Sequence, residues 1–165
     1  MSGLRPVFSD SGTVTAATSS PLTDGATALI VCSEEFASSH GLQPLVRIVS
    51  GTATGCKPEL MGMGPVSATQ KVLENANWEI DSVDLFEINE AFSSQSLAVI
   101  SELGIDIGRV NIDGGAISIG HPLGASGARI TGKAASLLNR TGGKRAIATM
   151  CIGGGMGMAM ALEKI

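Results

Sequence analysis

Two residues in this sequence carry side chains suited to proton transfer and have neighbours that leave them accessible. His121 stands between Gly120 and Pro122, and only Ile152 separates Cys151 from three consecutive glycines. A neutral imidazole can accept a proton, and a thiol with a reference pKa of about 8.5 can donate one near neutral pH. Glycine has no side chain, so the glycines around both residues keep the approach to them open. We interpret His121 and Cys151 as candidate catalytic residues rather than a turn histidine and a core cysteine.

The position of His121 also bears on its protonation state. A helix is predicted to begin near Gly124, and the positive end of its dipole would face the imidazole. A positive potential disfavours the imidazolium, so we expect His121 to be neutral and able to act as a base.

A polar pair, Asn89 and Glu90, lies at the junction between a predicted strand and a predicted helix. The Asn89 amide could cap the helix, or it could position a water molecule in a site. Glu90 could act as a general base. Further back, Met61 belongs to the glycine-rich run "MGMGP", which could line an apolar tunnel or fill a gap in the core. The residues alone leave these alternatives open.

The elements that would position these residues alternate between strands and helices. Residues 145–151 and the alternating residues from 156 onwards are separated only by glycines, which predicts an antiparallel hairpin. The pattern as a whole predicts an α/β layered fold, a mixed sheet covered by helices. The other predicted strands are 26–33, 45–50 and 83–89, and the predicted helices are 34–40, 69–76 with a capping box at Ser67, 91–103 and 124–140.

Composition excludes several classes of protein. The net charge of -4, scattered basic residues, one Trp and no Tyr argue against nucleic-acid binding. No apolar run reaches the roughly 18 residues of a membrane-spanning helix. Cys32, Cys56 and Cys151 are odd in number and widely spaced, which favours a reducing compartment, and no cysteine or histidine cluster predicts a metal site. We expect a cytoplasmic protein.

Five motifs in order along the chain resemble one family. They are "GTVTAATSSPLTDGA" from Gly12, "MGMGP" from Met61, "NEAF" from Asn89, "GGAISIGHPLGASGARI" from Gly114 and "CIGGGMG" from Cys151. Together they resemble the C-terminal half of a thiolase, an acetyl-CoA acetyltransferase. The resemblance implies a thiolase-like fold in which residues 1–41 end the N-terminal domain and residues 42–165 form the C-terminal domain.

The resemblance also implies roles for the candidate catalytic residues. His121 would take the proton of the family's nucleophilic cysteine, and Asn89 would hold the water that completes an oxyanion hole with His121. The Gly153 amide would contribute to a second oxyanion hole. Cys151 would be the second acid/base, which protonates a leaving CoA thiolate and removes a proton from the methyl carbon of acetyl-CoA.

Four further residues match family positions that contact the substrate. The resemblance implies that Ser20 contacts the pantetheine arm of CoA, while Met61, Ala91 and Phe92 line the pantetheine and acyl pocket. The implied substrates are CoA thioesters, with no additional cofactor and no metal.

The family's acyl-accepting cysteine lies in an N-terminal half that these residues do not include. We therefore expect a fragment or one chain of a split enzyme, working with that half in a homodimer or homotetramer. The expected reaction is Claisen condensation of acetyl-CoA or thiolytic cleavage of a 3-oxoacyl-CoA, with acyl chain length and direction left open. Two alternatives are a self-contained Cys-His acyltransferase with Cys151 as nucleophile, and a non-catalytic CoA-binding or dimerising module.

Overall fold

The computed structural model describes residues 3–165, which contain a mixed four-stranded sheet. The strands are β1 (Val46–Gly55), β2 (Leu85–Ile88), β3 (Arg145–Ile152) and β4 (Met156–Lys164). Their order across the sheet is β1-β4-β3-β2. β2 runs parallel to β3, whereas β4 pairs antiparallel with both β1 and β3. The predicted α/β fold with a mixed sheet is confirmed, as is the hairpin of β3 and β4.

Helices cover both faces of this sheet. Val72 and Val99 pack with Phe86 and Ile147 on one face, and Leu137 and its neighbours pack against the other. The helices are α1 (Glu34–Ser39), α2 (Gly64–Ala76), α3 (Ser93–Leu103), α4 (Ala116–Ile119) and α5 (Leu123–Thr141), and four short 3-10 helices span Ala16–Thr18, Pro58–Met63, Ile80–Ser82 and Ile107–Arg109. The two cores are therefore separated by the sheet, with α2 and α3 on one side and α5 on the other.

Helix α5 follows from its sequence. Ile130, Ala134, Leu137 and Leu138 recur at helical spacing and are all buried. Gly142 ends the helix with a φ of 80°, a left-handed conformation that glycine adopts without steric cost. The predicted bounds, 124–140, differ from the observed ones by one residue at each end.

The predicted strand over residues 26–33 is wrong. This segment has no regular structure, and Ile30 and Val31 are 90% and 72% exposed. A strand exists only when its backbone N–H and C=O groups are paired with a neighbour. Among residues 3–165 no such neighbour lies beside it, so the apolar composition of the segment is not sufficient to make it a strand.

Two predicted helix starts are also wrong. Helix α3 begins at Ser93 with Phe92 in the N-cap position, because the Asn89 side chain is used elsewhere. Helix α2 begins at Gly64, three residues before the predicted capping box. The Ser67 hydroxyl instead lies 2.7 Å from the hydroxyl of Thr54 on β1.

Two further observations concern residues 3–165 as a whole. None of their helices combines the length and the apolar character that crossing a membrane requires. These residues also contain no group of three or more His, Cys, Asp or Glu side chains placed to hold a metal ion.

Candidate active site

The candidate site lies where the parallel strands β2 and β3 end. Ile88 is paired with Thr149, and the N–H of Asn89 donates to the carbonyl of Thr149 at 2.9 Å. Asn111 holds the end of β2 from its open side, because its side chain accepts from Ile88 N (2.9 Å) and donates to Ile88 O (2.8 Å). The carboxyl ends of neighbouring parallel strands thus bring Asn89 and Cys151 to the same end of the sheet.

His121 lies in the connection between α4 and α5, where its backbone is fixed by the N-terminal segment. Its N–H lies 3.3 Å from the Pro21 carbonyl and 3.1 Å from the Thr23 hydroxyl. Its ring has two partners, Ser126 Oγ at 2.6 Å from Nδ1 and Asn89 Nδ2 at 3.3 Å from Nε2. The structure therefore brings the predicted residues Asn89 and His121 into direct contact, although 32 residues separate them.

The ring partners define which nitrogen of His121 carries the proton. The Ser126 hydroxyl donates to the Pro122 carbonyl at 3.1 Å, so its oxygen is left to accept from Nδ1–H. An amide NH₂ group only donates, so Nε2 accepts from Asn89. Neutral His121 therefore has the Nδ1–H tautomer, with its Nε2 lone pair directed at the Asn89 amide.

The pKa of His121 lies below its ordinary value. Burial of the ring is the main cause, and the positive charge of Arg129 adds to it. The expectation of a neutral imidazole agrees with this direction.

Cys151 occupies a different environment at the same end of the sheet. It shares its face of β3 with Ile147, on the side of the sheet that packs against α2, whereas Asn89 lies on the side of α5. Burial raises the pKa of its thiol, and a backbone hydrogen bond opposes that effect only in part. Among residues 3–165, no hydrogen bond joins this thiol to His121 or Asn89.

The glycines after Cys151 have distinct functions. Gly154 and Gly155 have φ angles of 88° and 91°, which an L side chain rarely adopts, so they form the β3–β4 turn. The Gly155 carbonyl also accepts from Cys56 N at 2.8 Å, which seats the turn against the loop after β1. Gly153 is exposed and has open space where a side chain would begin. The predicted role of its amide remains a prediction.

Three of the four predicted substrate contacts form one cluster. Ser20 donates from its N–H (3.0 Å) and its hydroxyl (3.2 Å) to the carbonyl of Ala91. Phe92 pairs with Ser19 through an isolated β-bridge. Met61 is half-buried in the 3-10 helix Pro58–Met63, a segment that packs against α3.

The Glu90 side chain links two neighbouring segments through hydrogen bonds. Its carboxylate oxygens accept from Asn111 Nδ2 at 2.9 Å and from Ile117 N at 3.0 Å, at the first turn of α4. Both oxygens are therefore engaged in holding the α4 segment against the end of β2. This geometry supports an anchoring role for Glu90 rather than that of a general base.

Sequence reasoning did not single out three residues that surround the pair. Ser126 and Arg129 lie one turn apart on α5. Ser126 contacts the His121 ring, and Arg129 donates to Asn89 Oδ1 at 3.2 Å. Glu87 is fully buried on β2, and burial raises its pKa to about 7 against the opposing charges of Lys133 and Arg129. For these three residues, the one signal available in the sequence was the carboxylate of Glu87 within the apolar run "VDLFEIN".

Comparison with known families decides the membership of the chain. The model of the family described as thiolase, C-terminal domain, matches residues 42–164, and that of the thiolase N-terminal domain matches residues 1–35. The chain belongs to the thiolase family. The predicted family is thereby confirmed, while the predicted domain boundary between residues 41 and 42 stays a prediction.

Individual relatives agree with this assignment. The chain is 52% identical over 165 residues to an acetyl-CoA acetyltransferase of Shinella zoogloeoides, covering 100% of the chain and 42% of that relative. It is 47% identical to a cytosolic acetyl-CoA acetyltransferase of Rattus norvegicus, covering 99% of the chain and 42% of the relative. The chain thus spans less than half the length of these curated thiolases.

Solved structures show the same fold. The crystal structure of the Bacillus anthracis acetyl-CoA acetyltransferase matches with a TM-score of 0.97 and 46% identity. Human mitochondrial 3-ketoacyl-CoA thiolase in complex with CoA matches with a TM-score of 0.94 and 44% identity. Each match covers 99% of the chain and 42% of the solved chain. The predicted thiolase-like fold is confirmed.

Proposed function

We propose that this chain supplies the C-terminal catalytic portion of an enzyme that transfers acyl groups between CoA thioesters. The reaction is Claisen condensation of acetyl-CoA or thiolytic cleavage of a 3-oxoacyl-CoA. The observation that carries the proposal is the His121 ring, whose Nε2 lone pair stands beside the Asn89 amide at the end of the sheet. A base and a hydrogen-bond donor are held in one place, as acyl transfer requires.

In this proposal His121 acts first as a base. Its Nε2 takes the proton of a cysteine thiol in the N-terminal half of the enzyme, and the thiolate attacks the thioester carbon. The protonated Nε2–H and the Nδ2–H of Asn89, directly or through a bound water, then donate to the developing oxyanion. Removing one such donor typically lowers kcat by about 10²–10³-fold.

Cys151 acts in the proposal as the second acid/base. Its buried thiol, whose raised pKa keeps it protonated, gives its proton to the leaving CoA sulfur. The resulting thiolate removes a proton from the methyl carbon of a second acetyl-CoA, and the carbanion attacks the acyl carbon held on the cysteine of the N-terminal half. The new carbon–carbon bond forms as the bond from that carbon to the cysteine sulfur breaks, and the released thiolate takes back its proton from Nε2 of His121. The Gly153 N–H stabilises the enolate oxygen, and in cleavage the same protons move in reverse.

The substrate arm passes the remaining predicted residues. Ser20, Ala91 and Phe92 form the contacts already described, and we propose that they line the pantetheine path together with Met61. Coenzyme A thioesters are substrates, and the chemistry assigned to these side chains requires no further cofactor. The full enzyme is a homodimer or homotetramer of the cytoplasm that acts in fatty-acid metabolism.

The alternative with Cys151 as nucleophile has less support. Burial raises the pKa of its thiol, and Nε2 of His121 is engaged by Asn89 rather than by Cys151. Mass spectrometry of the chain after incubation with acetyl-CoA tests this alternative, and an acyl group on Cys151 would establish it. Tight CoA binding by the isolated chain, measured by calorimetry, would favour the non-catalytic module instead.

The proposed activity is tested by complementation. The chain is combined with the N-terminal part of the Shinella zoogloeoides relative that it does not match, and thiolysis of acetoacetyl-CoA by CoA is followed. We expect turnover with both parts present and none with the chain alone. Turnover by the chain alone would contradict the need for a second half, and folded but inactive complexes would contradict the proposed activity.

The chain contains its own matched controls. His121→Ala and Cys151→Ala are each expected to lower kcat by at least about 10²-fold in the complemented enzyme. The same changes at His40 and Cys32, both exposed, are expected to leave kcat within about twofold. Equal losses at the paired positions would show that the substitutions act through folding.

A further inference from the structure

The Asn89 amide is fully buried and has a different partner at each end. Its Oδ1 accepts from Arg129 Nη2 at 3.2 Å, and its Nδ2 lies 3.3 Å from His121 Nε2. The two ends of an amide have nearly the same shape, so turning it by 180° changes little in packing. Its orientation is therefore set by hydrogen bonding alone.

Arg129 gives this network its direction. A guanidinium can only donate, so the atom of Asn89 that faces it must be the oxygen. The NH₂ group then faces Nε2 of His121 and donates to it. At the far side of the ring, Nδ1–H donates to Ser126, and Ser126 donates to the Pro122 carbonyl. In each hydrogen bond of this chain, from Arg129 to the Pro122 carbonyl, the donor is therefore the group nearer to Arg129.

This direction matters once Nε2 is protonated, as the proposed function requires. A freely turning amide would then present Oδ1 to Nε2–H and form an internal hydrogen bond. Both donors would be consumed, and neither would be left for a substrate oxygen. With Arg129 in place, the same turn would put an NH₂ group against a guanidinium and leave both without an acceptor, which is unfavourable in a buried site.

Glu87 is a buried carboxyl group that interacts with the Arg129 guanidinium. It lies two residues before Asn89 on β2, is 1% exposed, and attracts Arg129 electrostatically. Arg129 Nε and Glu87 Oε1 are buried and have no hydrogen-bond partner among the described residues. When it is ionised, above about pH 7, the Glu87 carboxylate offsets part of the cost of burying a cation, and it does not compete with Asn89 for the Nη2 donor.

We propose that Arg129 is a positioning residue that prevents the Asn89 amide from turning, so that Asn89 and protonated His121 both keep their N–H groups free for one substrate oxygen. The inference rests on the proposed function for its purpose. The locked orientation itself is a property of the chain alone.

The test measures the tautomer of His121 by ¹⁵N NMR of the chain labelled at its two histidines. We expect neutral His121 in the wild type to favour Nδ1–H over Nε2–H by at least about tenfold. Arg129→Met is expected to reverse this preference, because the freed amide turns and accepts from Nε2–H. His40 is the internal reference, since it is exposed and its Nδ1 lies 3.0 Å from the Phe36 carbonyl, with no contact to Arg129.

Lys133→Met is the matched control. Lys133 is the next basic residue on α5 and also faces Glu87, but it bonds to Asp113 rather than to Asn89. We expect its loss to leave the His121 tautomer unchanged. A wild type that favours Nε2–H would overturn the proposal, and this measurement needs no variant. An Arg129→Met chain that retains Nδ1–H, or an equal response to Lys133→Met, would overturn it as well.

The complemented enzyme separates this inference from the proposed function. With the tautomer result in hand, Arg129→Met is expected to lower kcat by about 10–10²-fold while changing KM little, because only the transition state needs both donors. If the complemented wild type has no activity but the tautomers respond as expected, the positioning role stands and the proposed function fails.

Discussion

Glu87 gives the stability of this protein a pH dependence with a defined sign. Burial raises its pKa from the ordinary 4.5 to about 7, although Lys133 and Arg129 oppose the shift. Between these two values the unfolded chain releases the proton while the folded chain keeps it. The folded state binds more protons in this range, so the free energy of unfolding falls as the pH rises from 4.5 to 7. Glu87→Gln removes this titration and preserves the shape of the side chain.

The magnitude follows from the same two values. Their difference, 7 - 4.5, corresponds to about 3 kcal/mol of unfolding free energy, at about 1.4 kcal/mol per pH unit. The unfolding free energy of Glu87→Gln minus that of the wild type should therefore rise by about 3 kcal/mol from pH 4 to pH 8. Urea unfolding followed by the fluorescence of Trp78, the single tryptophan and a buried one, measures this gain.

The control is Glu102→Gln, the same change on an exposed side chain of α3. We expect its unfolding free energy to follow that of the wild type at every pH. If the wild-type and Glu87→Gln curves run parallel from pH 4 to pH 8, Glu87 does not carry a raised pKa and the reasoning is wrong.

Three further predictions concern the folded chain. Leu138→Ala should lower the unfolding free energy by about 2–5 kcal/mol in urea titrations, because Leu138 is fully buried on the inner face of α5; a loss below 1 kcal/mol would show that the site collapses around the cavity. Gly157→Ala should shift β4 away from α2, because a Cβ at Gly157 would overlap Gly64; it should lower Tm, whereas Gly51→Ala, which meets open space, should not. Asp113→Asn should reduce the loss of stability on acidification from pH 4 towards pH 2, because hydrogen bonds from Arg140 and Lys133 lower the pKa of Asp113 to about 2; an unchanged acid limb would contradict this.

Local patterns predicted the elements whose partners are near in sequence. The spacing of Ile130, Ala134 and Leu137 is sufficient for α5, and the glycines between β3 and β4 are sufficient for the hairpin. Residues 26–33 have a similar local signal and form no strand, because pairing depends on a neighbouring strand that composition does not describe. The sequence pattern therefore predicts the tendency of a segment, while its partners decide the structure.

The candidate site shows the same division. His121 and Asn89, which the structure brings into contact, could be singled out because each lies in a short motif with an unusual local composition; their catalytic roles stay predictions. Arg129 was not, since a basic residue on an amphipathic helix has no local feature that points to a buried amide 40 residues earlier. Of the two alternatives for Asn89, the helix cap is wrong for the same reason, because its contacts with His121 and Arg129 could not be known from the sequence.

The pairing of β1 with β4 has a consequence for synthesis of the chain. Val46 is paired with Lys164, 164 - 46 = 118 residues later, and β4 lies between β1 and β3 in the sheet. At about 5–20 residues per second, a ribosome makes the intervening residues in about 6–24 s. During that time β1 lacks β4, its partner strand among residues 3–165, and the apolar side of α2 lacks the part of its cover that β4 provides. A stop codon that removes only the last nine residues would leave β1 separated from the rest of the sheet.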